Sequence, residues 1–171
     1  MLTGKLVKLR GVEPEDIDFL FKTENDVSLW KVSETSVPFT REVLKQYAES
    51  VHDIYSQGQY RFIIESLEEN TPVGMIDLYD FNSLHGRAGV GIVINSNYMG
   101  KGLALDALAV LIRYATEVLF LSQLFCSIHG TNVPSVNLFL KSGFKQVGVR
   151  RNWFKTRNGW DDELLFQCLL S

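Results

Sequence analysis

The stretch that constrains this chain most runs from Gly91-Ile92-Val93-Ile94, through a short turn, into Gly100-Lys101-Gly102 and the residues after it. The first part is an apolar strand. From Gly102 to Phe120, residues Ala104, Leu108, Leu111, Ala115, Val118 and Leu119 recur at helical spacing, which predicts a long amphipathic helix with one buried face. Such a helix must pack on a sheet, and its N-terminus lies beside the end of the strand that feeds it. Unpaired amide donors and the positive dipole end gather there, and glycines let a phosphate approach the backbone. The spacing is neither a Walker loop, which needs a four-residue spacer and a terminal Lys-Ser/Thr pair, nor a dinucleotide fingerprint with three spaced glycines. On its own, Gly-Lys-Gly is equally compatible with a tight turn.

The remaining elements follow from local pattern. Lys5 to Arg10 alternate as a strand, and Pro14-Glu15-Asp16 opens a helix with Ile17, Leu20 and Phe21 inward. Thr40 caps a second helix whose core face is Val43, Leu44, Tyr47, Ala48, Val51, Ile54 and Tyr55, ending near Gln57-Gly58. Residues 60–66, 73–81 and 88–94 read as a three-stranded meander, and 124–129 as a further strand. Pro134 to Lys141 form a short helix stopped by Gly143, and Asn158-Gly159 turns a closing hairpin. The expected architecture is α+β: a mixed, mostly antiparallel seven-stranded sheet flanked by about four helices, in one domain over residues 1–171.

Composition narrows the function classes. Net charge is −3, which argues against nucleic acid as a partner, and Asp106, Arg113 and Glu117 interrupt the most apolar helix, which argues against a membrane span. Cys126 and Cys168 lack the paired spacing of a metal or redox site and read as core residues in a reducing compartment, so a cytoplasmic protein without a metal is expected. Between Gly11 and Thr35 seven acids stand against two bases, while Lys141 to Trp160 carry six bases and no acid. Solvated surface is the plainer account of both runs.

Together these segments resemble the GNAT superfamily of acetyl-CoA-dependent N-acetyltransferases. The resemblance rests on Met99-Gly100-Lys101-Gly102-Leu103-Ala104 at the strand-to-helix junction, Leu9-Arg10 with Glu15-Asp16 after it, Val73-Gly74, Arg87-Ala88, Asn132 through Ser135 to Gly143-Phe144, and Gly159-Trp160-Asp161-Asp162. In layout the chain is similar to bacterial spermidine N-acetyltransferases and ribosomal-protein alanine acetyltransferases. The resemblance implies acetyl-CoA as cosubstrate, with the amides of Met99, Gly100, Lys101, Gly102, Leu103 and Ala104 on its pyrophosphate. It further implies that Ile92, Val93 and Ile94 pair with the pantetheine arm, one amide polarising the thioester carbonyl, and that Asn132, Ser135 and Lys141 lie beside the cofactor. Helix capping accounts equally well for Asn132 and Ser135.

Three positions depart from the family pattern. Met99 replaces the usual Gln, and Gly89 stands where spermidine acetyltransferases have a glutamate in the fourth strand. Phe139 stands where many relatives have a tyrosine that protonates the departing thiolate. General acid catalysis contributes about 10²- to 10⁴-fold, and a thiol of pKa about 8.5 leaves tolerably as an anion, so a slower enzyme is expected. The amine must lose a proton before it attacks, and Asp77, Asp80, His85 and Glu34 are the candidates to take it, directly or through water; the resemblance points to Asp80 and Glu34 as catalytic residues at the acceptor site, while His85 reads better as an exposed turn residue. Trp30, Tyr47 and Trp153 are aromatic candidates for the acceptor wall, core packing being the commoner role of such residues. The expected activity is direct acetyl transfer to a polyamine or other small cationic amine. A protein N-terminus as acceptor, a non-catalytic acyl-CoA-binding module, and a homo-oligomer remain open at this point.

Overall fold

The computed structural model describes residues 2–33 and 35–170. Its strands are β1 (Val7–Arg10), β2 (Tyr60–Ser66), β3 (Pro72–Asn82), β4 (Arg87–Ile94), β5 (Gln123–His129), β6 (Lys145–Thr156) and β7 (Gly159–Leu169). Its helices are α1 (Ile17–Glu24), α2 (Val27–Ser33), α3 (Arg41–Glu49), α4 (Ile54–Gln57), α5 (Leu103–Glu117) and α6 (Val133–Lys141). The seven strands form one sheet in the order β1-β2-β3-β4-β5-β7-β6, antiparallel except where β4 meets β5. This is the mixed sheet the pattern predicts. Alternation along β3 sends Ile76 and Leu78 into the core with Leu108 and Leu111 of α5, while Met75 faces the opposite side with Leu20 of α1 and Leu44 of α3. Helices therefore cover both faces.

Besides the about four helices expected, the described residues hold two short ones, α2 and α4, for two local reasons. In the segment between the first two predicted helices, the Asp26 carboxylate accepts from the Ser28 amide at 2.9 Å and starts α2. The helix capped by Thr40 then stops at Glu49, because Ser50 turns extended and Asp53 accepts from the amides of Tyr55 and Ser56 to begin α4. Val51 and Tyr55 consequently leave the core face assigned to them and are exposed. The acidic and basic runs are also not simply solvated. Asp16 is buried against Arg10, Glu24 is buried against Arg61, Arg150 lies 2.6 Å from Glu163, and Arg151 lies 2.6 Å from Asp162. Both cysteines are buried and free, as expected.

Two side chains of α5 tie the start of the chain to it, Arg113 by donating to the Thr3 carbonyl at 2.9 Å and Asp106 more extensively. Asp106, in the first turn of α5, accepts from the amides of Lys5, Leu6 and Val7 at 3.1, 2.7 and 3.0 Å. The carboxylate thus satisfies three donors that precede and begin β1, and it sits at the helix end its charge favours. Replacing Asp106 with Ala removes all three acceptors; the expected loss of stability is about 1–3 kcal/mol, read as a lower denaturant midpoint with unchanged slope.

Candidate active site

β4 and β5 pair only over Arg87–Gly89 with Gln123–Phe125. Beyond that point β5 pairs with β7 along its whole length, while β4 continues to Ile94 held by β3 alone. The strands diverge, and the β4 edge from Val90 onward faces an opening with no strand across it. A cavity of about 480 Å³ occupies this region, reached by Val90–Val93 of β4, Ser127 and Ile128 of β5, and Ser135 and Phe139 of α6. Its other wall comes from α1, α3 and the α3–α4 break, including Glu24, Tyr47 and His52.

At the far end of β4 the chain makes a 3-10 turn (Ser96–Tyr98) and then the Gly-Lys-Gly segment. Gly100 and Gly102 have φ of +76° and +80°, a left-handed conformation that favours glycine at both positions. Gly102 is the N-cap of α5 and has no side chain to cap it, so the first amides of the helix keep their donors for a ligand, and the space over Gly100 is open. Lys101 lies with its Nζ 5.0 Å over the Tyr98 ring. These features fit a pyrophosphate, and the free β4 edge fits an extended amide-bearing arm.

The electrostatics of the cavity centre on Arg61 of β2. Its Nε and Nη2 bond both oxygens of Asp77 at 2.8 and 2.7 Å, and its Nη1 bonds the buried Glu24 carboxylate. Burial works against the guanidinium charge, but Asp77 and Glu24 outweigh it and hold the arginine firmly protonated. Two carboxylates against one cation leave a net negative charge on this wall. Burial raises the Tyr47 phenol above its ordinary value, so it remains a neutral donor. The His52 Nε2 is buried and has no hydrogen-bond partner among the described residues.

The structure gathers most predicted site residues and separates a few. Ile92, Val93, Ser135, Phe139, Asp77 and Tyr47 line the cavity. Ile94 continues the same strand, Met99 to Ala104 carry the helix start, and Lys141 ends α6. Asn132 accepts from the Ser135 amide at 3.2 Å and so caps α6. Phe139 is buried edge-on to Phe144, with ring centroids 5.0 Å apart. Asp80 is exposed on a β-bulge with φ of +46° and does not line the cavity; His85 is exposed in a turn; Glu34 lies outside the described residues. Trp30 is turned away, its Nε1 bonding the Glu24 carbonyl at 2.8 Å, and Trp153 stacks under Arg150 on β6. Residues missed by the sequence reading are Arg61, His52 and Tyr79, while Glu24, expected only as one of the acids adding a weak, salt-screened attraction, lines the cavity itself.

A glycine-rich helix start beside a splayed, edge-exposed strand suits a ligand that carries both phosphates and an extended amide arm. Residues 7–145 match the acetyltransferase (GNAT) domain family, and the chain belongs to that family. It is an acetyl-CoA-dependent acetyltransferase. Spermidine N(1)-acetyltransferase of Escherichia coli is 31% identical over 150 residues, covering 86% of this chain and 77% of that protein. A prophage-derived N-acetyltransferase of Bacillus subtilis is 27% identical over 165 residues, covering 96% and 90%. Among solved structures, spermidine N-acetyltransferase from Vibrio cholerae in complex with CoA and spermine has a TM-score of 0.86 at 21% identity, covering 96% and 95%, and thus shares the fold. Among the described residues no group of three or more His, Cys, Asp or Glu is arranged to hold a metal, and no helix is long and apolar enough to cross a membrane.

The Arg61 cluster makes a stability prediction. Arg61→Met leaves Glu24 buried and uncompensated beside Asp77, and should cost about 3 kcal/mol or more, whereas adding Asp77→Asn to that variant should recover part of the loss. Equilibrium unfolding of the two variants against the parent measures both.

Proposed function

We propose that this chain transfers the acetyl group of acetyl-CoA directly to a cationic primary amine, polyamines among them, in a ternary complex. The observation that carries this reading is the opening between β4 and β5. It joins the anion cradle and free β4 edge on one side to a cavity with a net negative wall on the other. In this reading the amides of Met99 to Ala104 hold the pyrophosphate, Ile92 to Ile94 align the pantetheine arm, and a β4 amide draws charge from the thioester carbonyl. Acetyl-CoA supplies an activated acetyl group with a thiol leaving group.

A primary amine of pKa about 10.4 arrives protonated, so it is drawn to the carboxylates of Glu24 and Asp77 before it loses its proton. On the resemblance alone, Asp80 and Glu34 are proposed to help collect the cationic amine and take its proton. The two cysteines support direct transfer over a covalent acyl-enzyme: burial pushes the Cys126 thiol up to about 12, which leaves it without thiolate character.

The test measures thiol release with spermidine, an alanine-starting peptide, a serine-starting peptide and an anionic amino acid, at two salt concentrations. Spermidine should have the highest kcat/KM and lose most of its advantage in salt, and Glu34→Gln or Asp80→Asn should raise the amine KM more than the acetyl-CoA KM. Peptides winning without salt dependence would replace the polyamine acceptor by a protein N-terminus. In the same preparation acetyl-CoA at 100 times its Kd should stabilise the fold by about 2.7 kcal/mol, and Gly102→Val should abolish that stabilisation.

A further inference from the structure

Phe139 cannot donate a hydrogen bond, yet the opening contains a hydroxyl that the family pattern does not anticipate. Tyr79 of β3 lies opposite Gly89 of β4, and its ring covers that glycine so closely that a Cβ there would fall 2.2 Å from a ring carbon. The position of the glutamate expected in spermidine acetyltransferases is therefore filled by this ring. Gly91, two residues on, leaves the same face of β4 bare, with its own Cβ position 4.0 Å from the ring. The ring spans from β4 to β5, meeting Phe125 edge-on at 5.8 Å between centroids. Tyr79 lines the cavity together with Gly91, Ser127 and Phe139. It thus stands at the closed end of the divergence, where the last β4–β5 pair, Gly89 with Phe125, gives way to the opening.

We propose that Tyr79 supplies the donor that Phe139 lacks: its hydroxyl hydrogen-bonds the sulfur of the thioester as that sulfur becomes negative. The inference rests on the acetyl-CoA reading above. Hydrogen bonding and full proton transfer are distinguished by acidity. An ordinary phenol has pKa about 10 and a thiol about 8.5, so moving the proton to sulfur is already uphill. Burial raises the Tyr79 phenol further, with the Asp80 and Glu163 carboxylates acting in the same direction and the Ser127 backbone opposing them. Tyr79 therefore keeps its proton throughout. The amine forms the C–N bond, the C–S bond breaks with its electron pair going to sulfur, the nitrogen loses a proton to water, and the thiolate takes one from solvent.

Packing alone is the bland alternative for Tyr79, and Tyr79→Phe separates the two because it keeps the ring over Gly89 and removes only the hydroxyl. Loss of a donor aimed at developing charge should lower kcat by about 10²-fold, with the amine KM, the CoA Kd and the melting temperature nearly unchanged. A second readout does not depend on turnover: the thiol of CoA bound to the parent protein, titrated by thiolate absorbance, should ionise below its free value of about 8.5, and in Tyr79→Phe its midpoint should rise by about one pH unit. A kcat within threefold of the parent, or a bound thiol that titrates at the same pH in both proteins, would overturn the proposal. If Tyr79→Phe does not fold, a parent complex whose thiol ionises at or above the free value overturns it as well. Failure of the parent to bind CoA at all would instead refute the acetyl-CoA reading.

Discussion

The divergence of β4 from β5 is the constraint on which the rest of the site depends. β5 gives seven residues to its ladder with β7 and only three to β4. Backbone donors and acceptors that would normally be spent on a neighbouring strand are left on the β4 edge, and such groups are costly unless something pairs with them. An extended ligand with its own amides meets that need. The strand ends at the α5 N-terminus, so the same edge leads directly to the phosphate-sized cradle at Gly100 and Gly102.

The cradle is positioned by contacts remote from any ligand. Asp106 fixes the N-terminal segment to the first turn of α5, and Leu6 of that segment packs 3.6 Å from the point where a Gly102 Cβ would lie. On the opposite side, Arg61 holds Glu24 of α1 and Asp77 of β3 together, which fixes the distance between that helix and the sheet while leaving the wall net negative. Two of the ion-pair systems serve different purposes: Arg10 with Asp16 and Glu65 joins the start of the chain to β2, whereas Arg61 borders the cavity.

Much of this arrangement is legible in the sequence because it rests on local signals. The period-two strands, the 3.6-residue period of α5 and the Asn158-Gly159 turn each declare themselves within a few residues. The break between α3 and α4 was hidden because the helical spacing of apolar residues continues through it, and only Asp53 as a second N-cap marks the new start. The Arg61 cluster was hidden for a different reason: Glu24, Arg61 and Asp77 are far apart in sequence and meet only through the β2–β3 register and the packing of α1. Tyr79 had a faint signal, since Gly89 and Gly91 alternate on one face of a strand, and such a pair marks where something large lies against the backbone.

Hydrogen exchange with and without CoA tests the central claim most directly, because it reads the β4 edge and the α5 N-terminus residue by residue. The account predicts that CoA slows exchange at the edge-facing amides of Ile92 and Ile94 and at residues 99–104 together, while amides already paired, those of β7 among them, change little. Protection confined to one of the two segments, or spread evenly over the fold, would contradict a ligand lying along the opened strand with its phosphates at the helix start.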